Sequence, residues 1–168
     1  MNDAYNYGYC PEVRDQSPVF DVKDLFGTPL SVGRTLVAGR STLLLFMHPD
    51  NGACAKLMPV LQSIVAREGV DVVLISDDND ADHHRFLNRH QLDGMRYVVS
   101  SDVSQRFQAN KTPYGVLLNP QGVITAKGPC TTRKHVENLF KTRRLGYYSL
   151  QGYLSKVPRH AKLANEFR

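Results

Sequence analysis

Apolar positions along the chain change period several times, and each change marks an element. "VFDVKDL" (19–25) and "PLSVG" (29–33) alternate around "FGT", which reads as a β-hairpin with a glycine turn. "STLLLFMH" (41–48) is a near-continuous apolar run of strand length, as expected for a strand covered on both faces. In "GACAKLMPVLQSIVARE" (52–68), Leu57, Leu61, Ile64 and Val65 recur at helical spacing, and the internal Pro59 predicts a kink after the first turn or so. "VDVVLIS" predicts a second buried strand, and the acidic turn "DDNDAD" a cap for the helix "HHRFLNRHQL". "MRYVVS" reads as a third strand and "SDVSQRFQ" as a short helix. "YGVLLN" and "VITAKG" flank "PQG" as a hairpin. "TRKHVENLFKTRR" closes the pattern as an amphipathic helix with Val136, Leu139 and Phe140 on one face.

This order, a hairpin followed by alternating strands and helices and then an antiparallel pair, predicts a layered α/β domain with a mixed sheet. The boundaries follow: an N-terminal arm at 1–18, polar and rich in tyrosine; one domain at 19–146; and a C-terminal extension with a basic tail at 147–168. The 168 residues suffice for one substantial core. No apolar run approaches bilayer length and no signal-peptide pattern opens the chain, so the chain as given is expected to be soluble.

Charge adds one asymmetry. From Arg133 onward nine Lys and Arg stand against two acids, a balance of +7, whereas the preceding residues balance at −2. The expected origin is a solvated helix and a basic tail. With no nucleic-acid motif beside it, the charge does not imply a nucleic-acid partner.

The candidate chemistry lies in "MHPDNGACAKLMP". Three cysteines are too few for a disulfide framework, and their odd number leaves at least one thiol free or paired between chains. Cys54 stands alone near a helix start, with Asn51 three positions before it and Pro59 five after. Asparagine cannot attack a disulfide, but it is among the best helix caps, worth about 1 kcal/mol over alanine. Cys54 reads first as a small buried hydrophobe. Cys10, in the arm, reads as an intermolecular link or an incidental thiol. His48 and Cys54, with Asp50 between them, form a copper- or zinc-binding alternative, but no C-x-x-C or H-x-x-x-H ligand set accompanies them. No metal or other cofactor is therefore expected. His83, His84 and His90 read as surface histidines, and His48 as shaping its loop. A peroxidatic cysteine would be needed at the helix start, where Asn51 stands.

The strand, turn and helix around "DNGACAKLMP", together with the Thr-Pro of "KTPYGVLLNPQGV", resemble the thioredoxin fold from about Phe20 to Phe140. That fold carries C-x-x-C at a helix start, a proline five residues after the second cysteine, and a cis-proline facing the pair. The resemblance implies a mixed central sheet flanked by helices, with the hairpin N-terminal and an extension C-terminal. It places Asn51 at the position of the attacking cysteine and Cys54 at that of its partner. It also makes Pro113 cis and assigns Asp50, Thr112, Pro113, Tyr114 and Gly128 to a substrate-binding groove. "TPYGVLLNPQGVITAKG", "TTRKHVENLF" and "RLGYYSLQGYL" resemble, more finely, the methylamine dehydrogenase accessory proteins of the MauD type. That family implies a periplasmic setting and a protein client, the exported dehydrogenase small subunit, whose disulfides it helps to form. Its members usually begin with a membrane-spanning segment. An anchor lying outside the given chain and a soluble, diverged relative remain alternatives.

The expectation is thus an accessory protein with N-x-x-C in place of C-x-x-C and weak or no redox activity. Two alternatives stay open: an active thiol–disulfide oxidoreductase using Cys54 with Cys130 or an external thiol, and a copper- or zinc-handling protein using Cys54 and His48. Cys130 enters because "AKGPC" should return toward the Thr112–Pro113 loop.

Overall fold

The computed structural model describes residues 10–92 and 95–144; the tyrosines at 5, 7 and 9 and the extension and tail at 147–168 lie outside the described residues. Eleven elements follow in chain order: β1 (Phe20–Lys23), β2 (Pro29–Val32), β3 (Thr42–Phe46), α1 (Gly52–Glu68), β4 (Asp71–Ser76), α2 (His83–His90), β5 (Arg96–Val99), α3 (Ser101–Arg106), β6 (Tyr114–Leu118), β7 (Ile124–Pro129) and α4 (Arg133–Arg144). β1 and β2 form an antiparallel pair; the other strands make one mixed sheet in the order β5-β4-β3-β6-β7. β3 runs parallel to β4 and antiparallel to β6.

The apolar run at β3 explains its central place. Successive side chains leave a strand on opposite faces, so Leu43 and Leu45 join one core while Leu44 and Phe46 join another. β4 repeats the division, with Val72 and Leu74 against Val73 and Ile75. α1, α2 and α4 cover the first face through Leu57, Leu61, Phe86, Val136 and Phe140. α3 and the β1–β2 hairpin cover the second through Val103, Leu30 and Val32. A strand buried on both faces tolerates no polar alternation, which is why β3 and β4 show none.

α1 is a single helix from Gly52 to Glu68, and Pro59 lies within it rather than ending it. Asn51 caps its start, accepting from the Ala53 N–H at 2.8 Å. Gly69 closes its end with φ 66°, the left-handed conformation that glycine adopts without a Cβ penalty. Asp82 caps α2 and Ser100 caps α3 in the same manner.

The stretch assigned to the arm is bonded to the domain from Cys10 onward. Arg14 N–H donates to Ile124 C=O at 2.8 Å, Ile124 N–H to Asp15 C=O at 2.9 Å, and Ser17 N–H to Gly122 C=O at 3.0 Å. Main-chain groups on the outer side of β7 therefore find partners in residues 14–17, which limits its open edge. No helix among the described residues is long and apolar enough to cross a membrane.

Candidate functional site

The C-terminal end of β3, the start of α1 and the loop before β6 meet at one end of the sheet. Thr112–Pro113 is a cis peptide bond, and Tyr114 pairs with Phe46, the last residue of β3. That register brings the loop opposite the turn "HPDN". Asn51 spans the gap: its Oδ1 caps α1, and its Nδ2 donates to the Thr112 C=O at 3.1 Å. Three residues on, one turn into α1, Cys54 is fully buried, at 0% exposure.

Two groups meet the Cys54 sulfur. The His48 N–H donates to it at 3.4 Å, and the Thr112 side chain hydrogen-bonds it. Burial nonetheless dominates and pushes the thiol above its ordinary range, against the opposing pull of those two donors. At neutral pH Cys54 is a protonated thiol, a poor nucleophile.

Cys130 reaches the same loop, donating its N–H to the Pro113 C=O at 2.9 Å. Its thiol is also buried, and burial pushes it up to about 12. The sulfur fills the space left by Gly115: a Cβ at that residue would stand 2.8 Å from Cys130 Sγ and 2.9 Å from Leu139 Cδ1. All three cysteines are free, so the Cys54–Cys130 bridge considered above is not formed. Cys10 belongs to the other side of the sheet. It lies 3.5 Å from Lys127 Nζ and 3.5 Å from the Phe107 C=O, and Lys127 follows Ala126, which joins the core containing Cys54. Tyr114 packs against the core on that second side too. Burial pushes its phenol up, with Lys127 pulling the other way. Gly128 pairs with Gly115, one strand away from the cis bond.

The histidines separate sharply. Asp50 N–H donates to His48 Nδ1 at 3.1 Å, so in the neutral ring the proton lies on Nε2 and is donated to Asp78 Oδ2 at 2.9 Å. His48, Asp50 and Asp78 offer atoms within 4.8 Å of one another. A cation at Nε2 would require the opposite tautomer, with a second N–H aimed at that of Asp50. The ligand pair proposed from sequence also separates: the His48 ring engages Asp78, and only its main chain engages Cys54.

His83 corrects the surface assignment. It is 5% exposed, its Nε2 lies 2.6 Å from the Asp78 C=O and its Nδ1 2.6 Å from the Tyr97 hydroxyl. A carbonyl only accepts, so Nε2 carries the proton and the Tyr97 O–H donates to Nδ1. Burial first, then the charge of Cys54, raise the Tyr97 phenol. Asp78 links the two histidines, His83 through its carbonyl and His48 through its carboxylate. The Asp80 N–H, then His48, hold that carboxyl below the usual range against partial burial. The available signal was spacing: His83, Phe86 and Leu87 share one helical face, and all three are buried. His84 is exposed, and His90 packs its ring on Phe86 at 4.5 Å.

A mixed sheet flanked by helices, with a cis-proline loop facing a helix start, defines a thioredoxin-like protein. The AhpC/TSA family model matches residues 13–128. A thiol-disulfide oxidoreductase from Bacteroides fragilis superposes with a TM-score of 0.61 at 19% identity, covering 74% of this chain and 99% of that one, which speaks for the fold alone. Closer in sequence is methylamine utilization protein MauD of Methylobacillus flagellatus, 49% identical over 144 residues, covering 86% of this chain and 70% of that protein. MauD of Paracoccus denitrificans is 45% identical over 151 residues, covering 90% and 76%. The chain belongs to the AhpC/TSA family and, within it, to the MauD proteins.

Proposed function

We propose that the protein is a thioredoxin-fold accessory protein that holds an extended segment of an amine-dehydrogenase-type subunit during its maturation, in the periplasm, with little or no disulfide exchange of its own. The observation that carries this reading is the pairing of an amide with a buried thiol. Asn51 stands at the helix start facing Thr112, and Cys54 lies behind it with its proton retained. Exchange needs an attacking thiolate and a second thiol for release. An Asn51–Cys54 pair supplies neither in an accessible form. Recognition of an extended chain beside a cis-proline loop rests on main-chain hydrogen bonds, which survive loss of the nucleophile. The MauD resemblance supplies the client class.

The test is binding without chemistry. A reduced and fully alkylated methylamine dehydrogenase small subunit, fluorescein-labelled, is expected to bind the protein in an anisotropy titration although it holds no free thiol. Binding that appears only with a thiol- or disulfide-bearing client would mean that covalent exchange, not main-chain pairing, is the function.

A further inference from the structure

Asn51 does more than a cap requires. Capping uses only Oδ1, and serine and aspartate cap about as well. What asparagine adds is the donor: Nδ2 reaches Thr112, 61 residues away in sequence, and bonds its carbonyl at 3.1 Å. The Thr112 side chain is bound to the Cys54 sulfur, and the Pro113 carbonyl to the Cys130 N–H. The carbonyls on both sides of the cis bond thus have partners within the protein, and one of those partners is a side chain that can swing away. Asn51 and Thr112 are each half-buried, so the bond lies at the surface of the cleft rather than beneath it.

We propose that Asn51 is a latch: its amide holds the cleft closed over Cys54 and occupies the Thr112 carbonyl, so that an incoming strand reaches that carbonyl only by displacing Nδ2. Asn51 is then the residue that sets affinity for an extended chain. This deepens the reading above and rests on it for the identity of the occupant. The latch itself rests on the two bonds of one side chain.

The two roles of Asn51 separate by substitution. Asn51→Asp is isosteric, keeps the acceptor for Ala53 N–H and adds a charge favoured at a helix start, but cannot donate to Thr112. Asn51→Ser keeps a cap and is too short to reach across. Asn51→Ala loses both. A neutral hydrogen bond of this kind shifts an equilibrium roughly fivefold. Both Asn51→Ser and Asn51→Asp are therefore expected to bind the alkylated, labelled subunit about fivefold tighter than the parent. Cys54 should react with iodoacetamide faster by a similar factor, read by peptide mapping so that Cys10 and Cys130 do not interfere. Asn51→Ala should also bind tighter although less stable, an outcome that a purely structural role would not produce. Unchanged binding and labelling in both capped variants would overturn the latch and leave Asn51 as a cap alone. Binding that weakens in step with lost stability would overturn it as well. Faster Cys54 labelling with no binding in any variant would uphold the latch and count against the peptide reading instead.

Discussion

Asn51→Cys is expected to turn the protein into a disulfide reductase. The introduced thiol would stand at the start of α1, where free N–H groups and the helix dipole stabilise a thiolate, and one turn before Cys54, which could resolve a mixed disulfide. A thiol there with a pKa near 7 is about half ionised at neutral pH, whereas an unassisted buried thiol is ionised to less than about a hundredth, so thiolate population alone predicts a gain of at least about fiftyfold. The assay is reduction of insulin by the variant in dithiothreitol, against the parent. Loss of the Asn51 cap should cost about 1 kcal/mol, which the fold should survive. A folded variant with parental activity would mean that residue 51 does not occupy the attacker's position.

His83→Ala should be strongly destabilising although it removes no cysteine. It strips the Tyr97 hydroxyl and the Asp78 carbonyl of their shared partner and leaves a cavity beneath α2. A buried polar group left without its bond costs roughly 1–3 kcal/mol, so a total near 3 kcal/mol is expected from a urea unfolding midpoint. Phe86 and Leu87, which pack on the same face, are untouched by the substitution. A loss below about 1 kcal/mol would show that the Asp78–His83–Tyr97 chain holds little together.

Most of the framework was legible because it is local. The run "TLLLF" could only be a strand covered on both faces, and β3 is central with all five residues buried. The glycine and proline turns marked both hairpins. Asn51 before an apolar helix declared its own cap. What stayed hidden depends on tertiary placement. The helix of histidines looked polar because His83 counts as polar, yet it is buried, with the Tyr97 hydroxyl of β5 bonded to one ring nitrogen and the Asp78 carbonyl to the other. The bond from Asn51 to Thr112 could not be inferred from spacing, since only the β3–β6 register brings the two together. The pairing of residues 14–17 with the start of β7 runs through their main chain, which side-chain patterning does not report. Pro59 is accommodated inside α1, on the exposed side of the helix.

On this account the Cys54 thiol is held protonated and covered, so that the protein can bind without exchanging. The most direct measurement is the rate at which Cys54 is alkylated in the native protein, followed by peptide mapping over a pH series and compared with the rate in denaturant. At neutral pH the native rate should be at least about a hundredfold below the denatured one. It should go on rising with pH beyond the ordinary thiol range, because burial raises the thiol and the reactive thiolate forms only above it. A native rate that matches or exceeds the denatured one and levels off below neutral pH would reveal an exposed, activated thiolate and contradict the account.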